Sequence, residues 1–329
     1  MNGVLIIDKP AGWTSHDVVN RVRRLLNQRS VGHLGTLDPM ATGLLPLVTG
    51  NFTRLAQFYL TSEKTYEGVI RFGFSTDTYD AEGEPTSETQ TVNLNKEKLE
   101  ALAAPFRGVI EQLPPPFSAK KIHGVPAYKL ARKHKEVVLQ PVRVEIKEFE
   151  ILGVETDRAR FRARVASGTY MRSVAHDMGK ALSCGAHLES LRRTAVAEFT
   201  LQDARTLEDL CGASTRETPY TAKARLPQDC HPDRSFPFPQ EEESGVEGPS
   251  VLAGLQDFFV HPRKLLPHFP SVTADEVTVA RIRAGRPVNL LDVSRSRQVK
   301  VFANQRDLIA IASRVAGTLF HPKIVLCGK

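Results

Sequence analysis

The chain lacks any run of about 18 apolar residues, which excludes a transmembrane helix. Its opening, Met1-Asn2-Gly3-Val4-Leu5-Ile6-Ile7-Asp8-Lys9-Pro10, has no basic stretch ahead of a long apolar core. No secretory signal is read there, and a cytoplasmic location with no membrane partner is expected. Cysteine is scarce: Cys184, Cys211, Cys230 and Cys327 stand far apart with no C-x-x-C pair. Neither a disulfide framework nor a structural zinc site is legible in that spacing. The histidines do not cluster at ligand spacing and no H-E-x-x-H occurs, so no metal is predicted. Phosphate-binding G-x-x-x-x-G-K-[ST] loops and G-x-G-x-x-G fingerprints after a strand are also missing.

What remains is an ordinary globular chain of 329 residues, 41% hydrophobic and 25% charged, enough for one large domain and one small one. The net charge of +7 leans toward a nucleic-acid partner. Residues 1–203 carry 27 basic against 23 acidic side chains, residues 204–250 carry 5 against 9, and residues 251–329 carry 12 against 5. The last segment therefore matches the excess of the whole chain. A solvated surface accounts for that excess as readily as an RNA-binding one.

Val4–Ile7 reads as a strand closed by Lys9-Pro10-Ala11-Gly12. Thr14 or Ser15 then caps a helix whose apolar face is Val18, Val19, Val22, Leu25 and Leu26, with Asp17 in its first turn. Residues 31–50 are glycine-punctuated and hold Pro39 and Pro46. Tyr66–Phe74 reads as a strand, 77–88 as turns, Asn95–Ala104 as a short helix, Tyr128–His134 as a short basic helix and Val142–Leu152 as a strand. In Arg-Ala-Arg-Phe-Arg-Ala-Arg-Val (158–165), strict alternation sends Ala159, Phe161, Ala163 and Val165 to a core. The four arginines share the opposite face about 6.6 Å apart. They make either a solvated face or a stripe facing phosphates, and the lack of interleaved acids within the segment favours the stripe. An amphipathic helix starts at Met171 and ends at Gly185. Residues 212–250 hold six prolines and Glu241-Glu242-Glu243 but few large aliphatics, and read as an insertion or linker. Val299–Ala303 and Leu308–Ser313 read as strands of a small β-rich module. The fold class expected is α+β, a large mixed sheet followed by a small barrel-like β domain.

The chemistry-bearing stretch is Gly32-His33-Leu34-Gly35-Thr36-Leu37-Asp38-Pro39-Met40-Ala41-Thr42-Gly43. Glycines let a backbone approach a ligand closely. Pro39 biases Asp38 away from helical conformation, so its carboxylate is presented from an extended loop. Near an arginine such a carboxylate stays ionised and serves as a nucleophile. An Asp-Pro turn capped by His33 and Thr36 is the structural alternative, and these residues alone do not decide between the two.

The loop resembles the signature of the bacterial tRNA pseudouridine-55 synthase (TruB) family. So do Asp8-Lys9-Pro10-Ala11-Gly12-Trp13-Thr14-Ser15, Lys64-Thr65-Tyr66, Asp77-Thr78-Tyr79-Asp80-Ala81-Glu82-Gly83 and Pro115-Pro116-Phe117-Ser118-Ala119-Lys120-Lys121, the last with Gly124, Tyr128, Ala131 and Arg132. Ser167-Gly168-Thr169-Tyr170-Met171-Arg172-Ser173 and Cys184-Gly185-Ala186-His187-Leu188 with Leu191-Arg192-Arg193-Thr194 complete a colinear series over residues 3–203. Residues 258–326 resemble that family's small PUA-type RNA-binding domain, with weaker motifs. The acidic 212–250 segment departs from the family pattern.

The resemblance implies a catalytic pseudouridine synthase domain over 1–211, the linker at 212–250 and a PUA-type domain over 251–329. It implies a cofactor-free, monomeric isomerase that turns uridine 55 of the tRNA T-loop into pseudouridine, with the T-arm as partner. Asp38 matches the catalytic aspartate, which attacks C6 of the base or C1′ of the ribose. Arg172 matches its arginine partner, whose fork would orient the carboxylate and keep its pKa low. Tyr66 matches the tyrosine that stacks on the base and helps move a proton; a core aromatic is the plain alternative. Tyr170 and Leu191 match residues lining the uracil pocket, and His33 one that helps displace the target from the folded loop. Lys9, Lys64, Lys120, Lys121 and Arg132 are candidate phosphate contacts, or ordinary surface cations. Rival readings are a guide-RNA-dependent synthase, which the start of the motifs at residue 3 disfavours, and a tRNA-folding chaperone with secondary catalysis. Because the last 79 residues carry no matched catalytic residue, their loss is expected to weaken RNA binding more than it slows chemistry.

Overall fold

The computed structural model describes residues 1–118, 120–122, 125–126, 139–215, 254–293 and 295–326. Nine strands form one mixed sheet, ordered β1 (Gly3–Lys9), β3 (Thr42–Thr49), β10 (Ala186–Val196), β4 (Lys64–Phe72), β9 (Arg158–Val165), β8 (Val142–Glu155) and β5 (Gly108–Gln112). The short β2 (Val31–His33) pairs with β3, and β11 (Phe199–Thr200) with β10. Neighbours are antiparallel except β3 and β10, which meet in parallel at Thr42 and Gly43. A second sheet orders β12 (Ser271–Thr273), β14 (Gln298–Phe302), β15 (Leu308–Ala316), β16 (Leu319–Val325) and β13 (Val288–Asn289). The expected α+β architecture, a large mixed sheet followed by a small β module, is what the chain adopts. Among the described residues no helix is long and apolar enough to cross a membrane.

β1 is apolar on both sides because it separates two cores. Leu5 and Ile7 face the core that also holds Val18, Val19 and Val22 of helix α1 (Ser15–Leu25). Val4 and Ile6 face a second core. β3 divides likewise, Leu45 and Leu47 to the first core and Leu44 and Val48 to the second. α1 begins at a capping box: Asp17 N donates to Thr14 Oγ1 at 3.1 Å and Thr14 N to Asp17 Oδ2 at 2.9 Å. Helix α2 (Lys96–Ala103) is capped by Asn95, and helix α3 (Met171–Ala181) lies against β10.

The arginine-rich segment is β9, with Ala159, Phe161, Ala163 and Val165 fully buried. Its other face is not a free phosphate-facing stripe, which corrects the expectation above. Glu150 and Glu67 flank Arg162 from the two neighbouring strands, Glu148 stands opposite Arg164, and Glu155 opposite Arg158. Arg164 pairs with Glu63 at 2.9 Å and Glu148 at 2.6 Å, and Arg158 with Glu189 at 2.8 Å and Asp157 at 2.7 Å. The compensating acids sit largely on other strands, so alternation within the segment did not show them.

The second core joins the two sheets. Leu265, Leu266, Phe302, Leu308, Ile311, Ile324 and Leu326 pack with Val4, Ile6, Leu44, Val48, Phe52, Tyr59 and Phe199. Val260 N donates to Val4 O at 2.8 Å. The Tyr59 hydroxyl and Leu266 N both donate to Glu198 Oε1, at 2.6 and 2.8 Å. The C-terminal module is therefore part of the packing of β1 and β3. Its removal would therefore disturb the packing of the large sheet as well as any RNA contact. Helix α4 (Leu207–Thr215) runs across the expected border at 211. Most of the expected linker and the whole of the expected basic helix at 128–134 lie outside the described residues.

Candidate active site

The loop between β2 and β3 carries Asp38, and four side chains from distant parts of the sequence hold it. Leu37 N donates to Ser15 Oγ at 2.8 Å, and that hydroxyl donates to Leu37 O at 3.2 Å. Lys9 Nζ donates to Pro39 O at 3.0 Å, Trp13 O at 2.6 Å and Pro10 O at 2.8 Å. Arg193 donates to Gly35 O at 3.0 Å, Thr36 O at 3.2 Å and Leu44 O at 2.8 Å. The fourth is Arg172, in the first turn of α3 and only 4% exposed. Its Nη2 donates to Asp38 Oδ1 at 3.0 Å, while Nε lies 2.9 Å from Oδ2 as an ion-pair contact, its proton not aimed at the oxygen.

Arg172 is fixed in turn. Nη1 donates to Thr78 O at 3.1 Å, Nη2 to Phe117 O at 2.9 Å, and the buried Asp80 carboxylate lies 3.4 Å from Nη1. Asp80 Oδ1 accepts from Thr78 Oγ1 at 2.6 Å and Glu82 N at 3.1 Å, which locks the 77–83 turn under the guanidinium. Asp38 keeps 34% of its side chain accessible, so one face of the carboxylate looks into an open cleft. That cleft measures about 330 Å³ and is lined by His33, Asp38, Lys64, Tyr66, Tyr170 and Leu191 among others. Desolvation by the cleft walls pushes the Asp38 carboxyl above the usual aspartate range, with Arg172 pulling the other way. The expected low pKa is corrected accordingly: the guanidinium orients the carboxylate, but burial sets the net direction.

The structure brings together Asp38, Arg172, Tyr66, Tyr170, Leu191, His33 and Lys64. Tyr66 and Lys64 share a face of β4 because strand side chains alternate. Tyr170 precedes α3, and Gln112 holds its backbone: Tyr170 N donates to Gln112 Oε1 at 2.8 Å and Gln112 Nε2 to Tyr170 O at 3.0 Å. His33 Nδ1 accepts from Gly35 N at 3.3 Å, which needs the neutral ring, and burial lowers its pKa. Lys9 does not reach the surface. It is fully buried and its three donors are spent on carbonyls, so it serves the loop and not a phosphate. Lys120 lies outside the cleft lining, with Nζ donating to Gln140 O at 3.2 Å. Lys121 belongs to a two-residue strand, β6 (Lys121–Ile122), paired with β7 (Val125–Pro126). Arg132 lies outside the described residues. Ser15, Asp80, Gln112 and Arg193 are site residues that sequence reasoning did not assign. Ser15, Asp80 and Arg193 stand inside the matched motifs, whereas Gln112 carried no signal. Among the described residues no group of three or more His, Cys, Asp or Glu is placed to hold a metal.

The fold recurs in solved structures. The protein in "Structure of H/ACA RNP bound to a substrate RNA containing 2'-deoxyuridine" superposes with a TM-score of 0.66 at 23% identity, covering 99% of this chain and 85% of that one. One in "Crystal Structure of a Cbf5-Nop10-Gar1 Complex" gives 0.62 at 25% identity, covering 96% and 79%. Residues 23–171 match the family model described as TruB family pseudouridylate synthase (N terminal domain), and residues 172–228 that of the tRNA pseudouridylate synthase B C-terminal domain. Fold and site thus define a pseudouridylate synthase. A tRNA pseudouridine synthase B of Solibacter usitatus is 48% identical over 329 residues, covering 99% of this chain and 100% of its own. One of Aquifex aeolicus is 46% identical over 219 residues, 66% of this chain and 76% of its own. The chain belongs to the TruB family.

Proposed function

We propose that this chain converts uridine 55 in the tRNA T-loop to pseudouridine without a cofactor, acting as a monomer in the cytoplasm on the T-arm. The observation that carries the reading is the Asp38 carboxylate facing the cleft while Arg172 grips it from behind. A stacked uridine is out of reach, so it leaves the loop at a cost of a few kcal/mol, and His33 at the cleft offsets part of that. The base then lies against Tyr66, between Tyr170 and Leu191. The ionised Asp38 attacks the uridine, at C6 of the ring or C1′ of the ribose. The N1–C1′ bond breaks, the uracil turns, a C5–C1′ bond forms, and the bond to Asp38 breaks to return the free carboxylate. C5 loses its proton and N1 gains one, so product and substrate have the same atoms. The fixed cleft supplies orientation, the main requirement for joining two halves of one nucleotide. Asp38, Arg172 and Tyr66 are the residues proposed to carry the chemistry, with His33, Tyr170, Leu191 and Lys64 binding substrate. We further propose residues 1–211 as the catalytic domain and 251–329 as a PUA-type module.

The 48% identity to a synthase named for tRNA over its full length favours this substrate over a guided one. The test is to incubate the protein with an unmodified tRNA transcript and map pseudouridine by position. Product at the T-loop uridine is expected; its absence, or product only elsewhere, refutes the reading.

A further inference from the structure

Two cations, Arg193 and Lys64, meet in the cleft wall. Arg193 is fully buried and Lys64 is 8% exposed, and both line the cleft. They converge on Gly35, whose φ is +135°: a Cβ there would lie 3.4 Å from Arg193 Nη1 and 3.5 Å from Lys64 Cε. Among the described residues their hydrogen-bond partners are carbonyl oxygens, those of Leu44, Thr36 and Gly35 for Arg193 and of Ser62 at 2.7 Å for Lys64. Arg158, Arg164 and Arg172 differ in this respect, since each touches two carboxylates. Burial and the neighbouring Arg193 charge together lower the lysine to about 8. Buried charge is costly unless an opposite charge meets it. Among the described residues no carboxylate pairs with either cation, which leaves room for an anionic ligand.

The position says which anion fits. Lys64 and Tyr66 project from the same face of β4, two residues or about 6.6 Å apart. A base stacked on Tyr66 therefore leaves its own sugar–phosphate within reach of Lys64. We propose that Lys64 and Arg193 seat a phosphodiester adjoining the extruded uridine. The inference rests on the uridine reading above and deepens it. Lys64 supplies the direct contact, as an ammonium point charge suited to phosphate. Arg193 supplies a second positive charge while it holds the Gly35–Thr36 backbone. Gly35 keeps the space above both clear of a side chain.

A T-arm stem-loop RNA carrying an uncharged methylphosphonate at one linkage beside the target uridine tests this, with each of the two flanking linkages tried in turn. A hydrogen bond to a charged group is worth about a tenfold loss or more when removed. Wild type should bind the neutral-linkage RNA about tenfold more weakly at one of the two positions. Lys64→Met should bind natural RNA about tenfold more weakly, with a salt slope lower by about 0.7–0.9. The variant should lose little more when that linkage is also neutral, because the two changes remove one contact. Full affinity of wild type for both neutral-linkage RNAs, which needs no variant to fold, overturns the proposal; so do losses that add at both linkages. Wild-type turnover of natural RNA is the separate check. Pseudouridine formed without coupling refutes only the phosphate seat, whereas no pseudouridine refutes the functional reading beneath it.

Discussion

Arg172→Lys keeps a positive charge at the place where Asp38 is held, and it should still cripple the enzyme. The guanidinium reaches Asp38 with two nitrogens and satisfies the carbonyls of Thr78 and Phe117 with the same fork. One ammonium on a shorter reach cannot serve all of these partners. If it follows Asp38, two carbonyls lose their donors in a buried pocket, at about 1–3 kcal/mol each. If it follows the carbonyls, the carboxylate is free to turn. Breaking a buried pair costs about 3–5 kcal/mol, and each 1.36 kcal/mol is tenfold in rate. The expected fall in the saturating single-turnover rate is therefore about a hundredfold or more. RNA affinity should stay within a few-fold, since phosphate contacts elsewhere supply most of it. The assay is release of label from uridine tritiated at C5, at enzyme excess. A rate within threefold of wild type for Arg172→Lys would falsify the positioning role of the fork and leave charge alone as the arginine's contribution.

Three further outcomes follow from the same geometry. If Asp38 reacts as the anion, its raised pKa makes activity reach a plateau at high pH and fall as pH drops through a value above the ordinary aspartate range. A single-turnover pH profile whose acid limb matched free aspartate would contradict that. Gln112→Leu should slow the saturating rate and lower stability by about 1–3 kcal/mol, because both backbone contacts to Tyr170 are lost in a buried setting; unchanged melting and rate would argue against the clamp. Truncation after Ala253 bares Val4, Ile6, Leu44, Val48 and Phe52, at about 1.5–3 kcal/mol per large side chain against a total stability of about 5–15 kcal/mol. The shortened protein should therefore fail to melt cooperatively by circular dichroism, and a native melting curve with a normal saturating rate would show that the shared core is dispensable.

Local signals were legible where neighbours in sequence are neighbours in space. The capping box at Thr14 and Asp17, the Asn95 cap and the alternation of β9 all involve residues a few positions apart. β3 was hidden because Gly43 and Pro46 argue against a strand. Gly43, at φ +96°, is there because the Arg193 backbone comes within 2.3 Å of where its Cβ would be. The Asp38–Arg172 pair was legible through the motifs, but its pKa direction was not, because desolvation comes from cleft walls far away in sequence. Lys9 and Lys64 looked alike as surface cations; packing alone separates a lysine spent on three carbonyls from one that faces the cleft. The arginines of β9 looked uncompensated because their acids lie on β4, β8 and β10 and in the connecting turns.

The central claim is that one carboxylate, Asp38, performs the isomerisation while binding is distributed. Asp38→Ala and wild type, each in excess over an unmodified tRNA transcript, are to be compared by mapping pseudouridine and measuring RNA affinity on the same preparations. The account predicts full conversion of the T-loop uridine by wild type, none by Asp38→Ala, and affinities within a few-fold of each other. Pseudouridine formed by Asp38→Ala would contradict it.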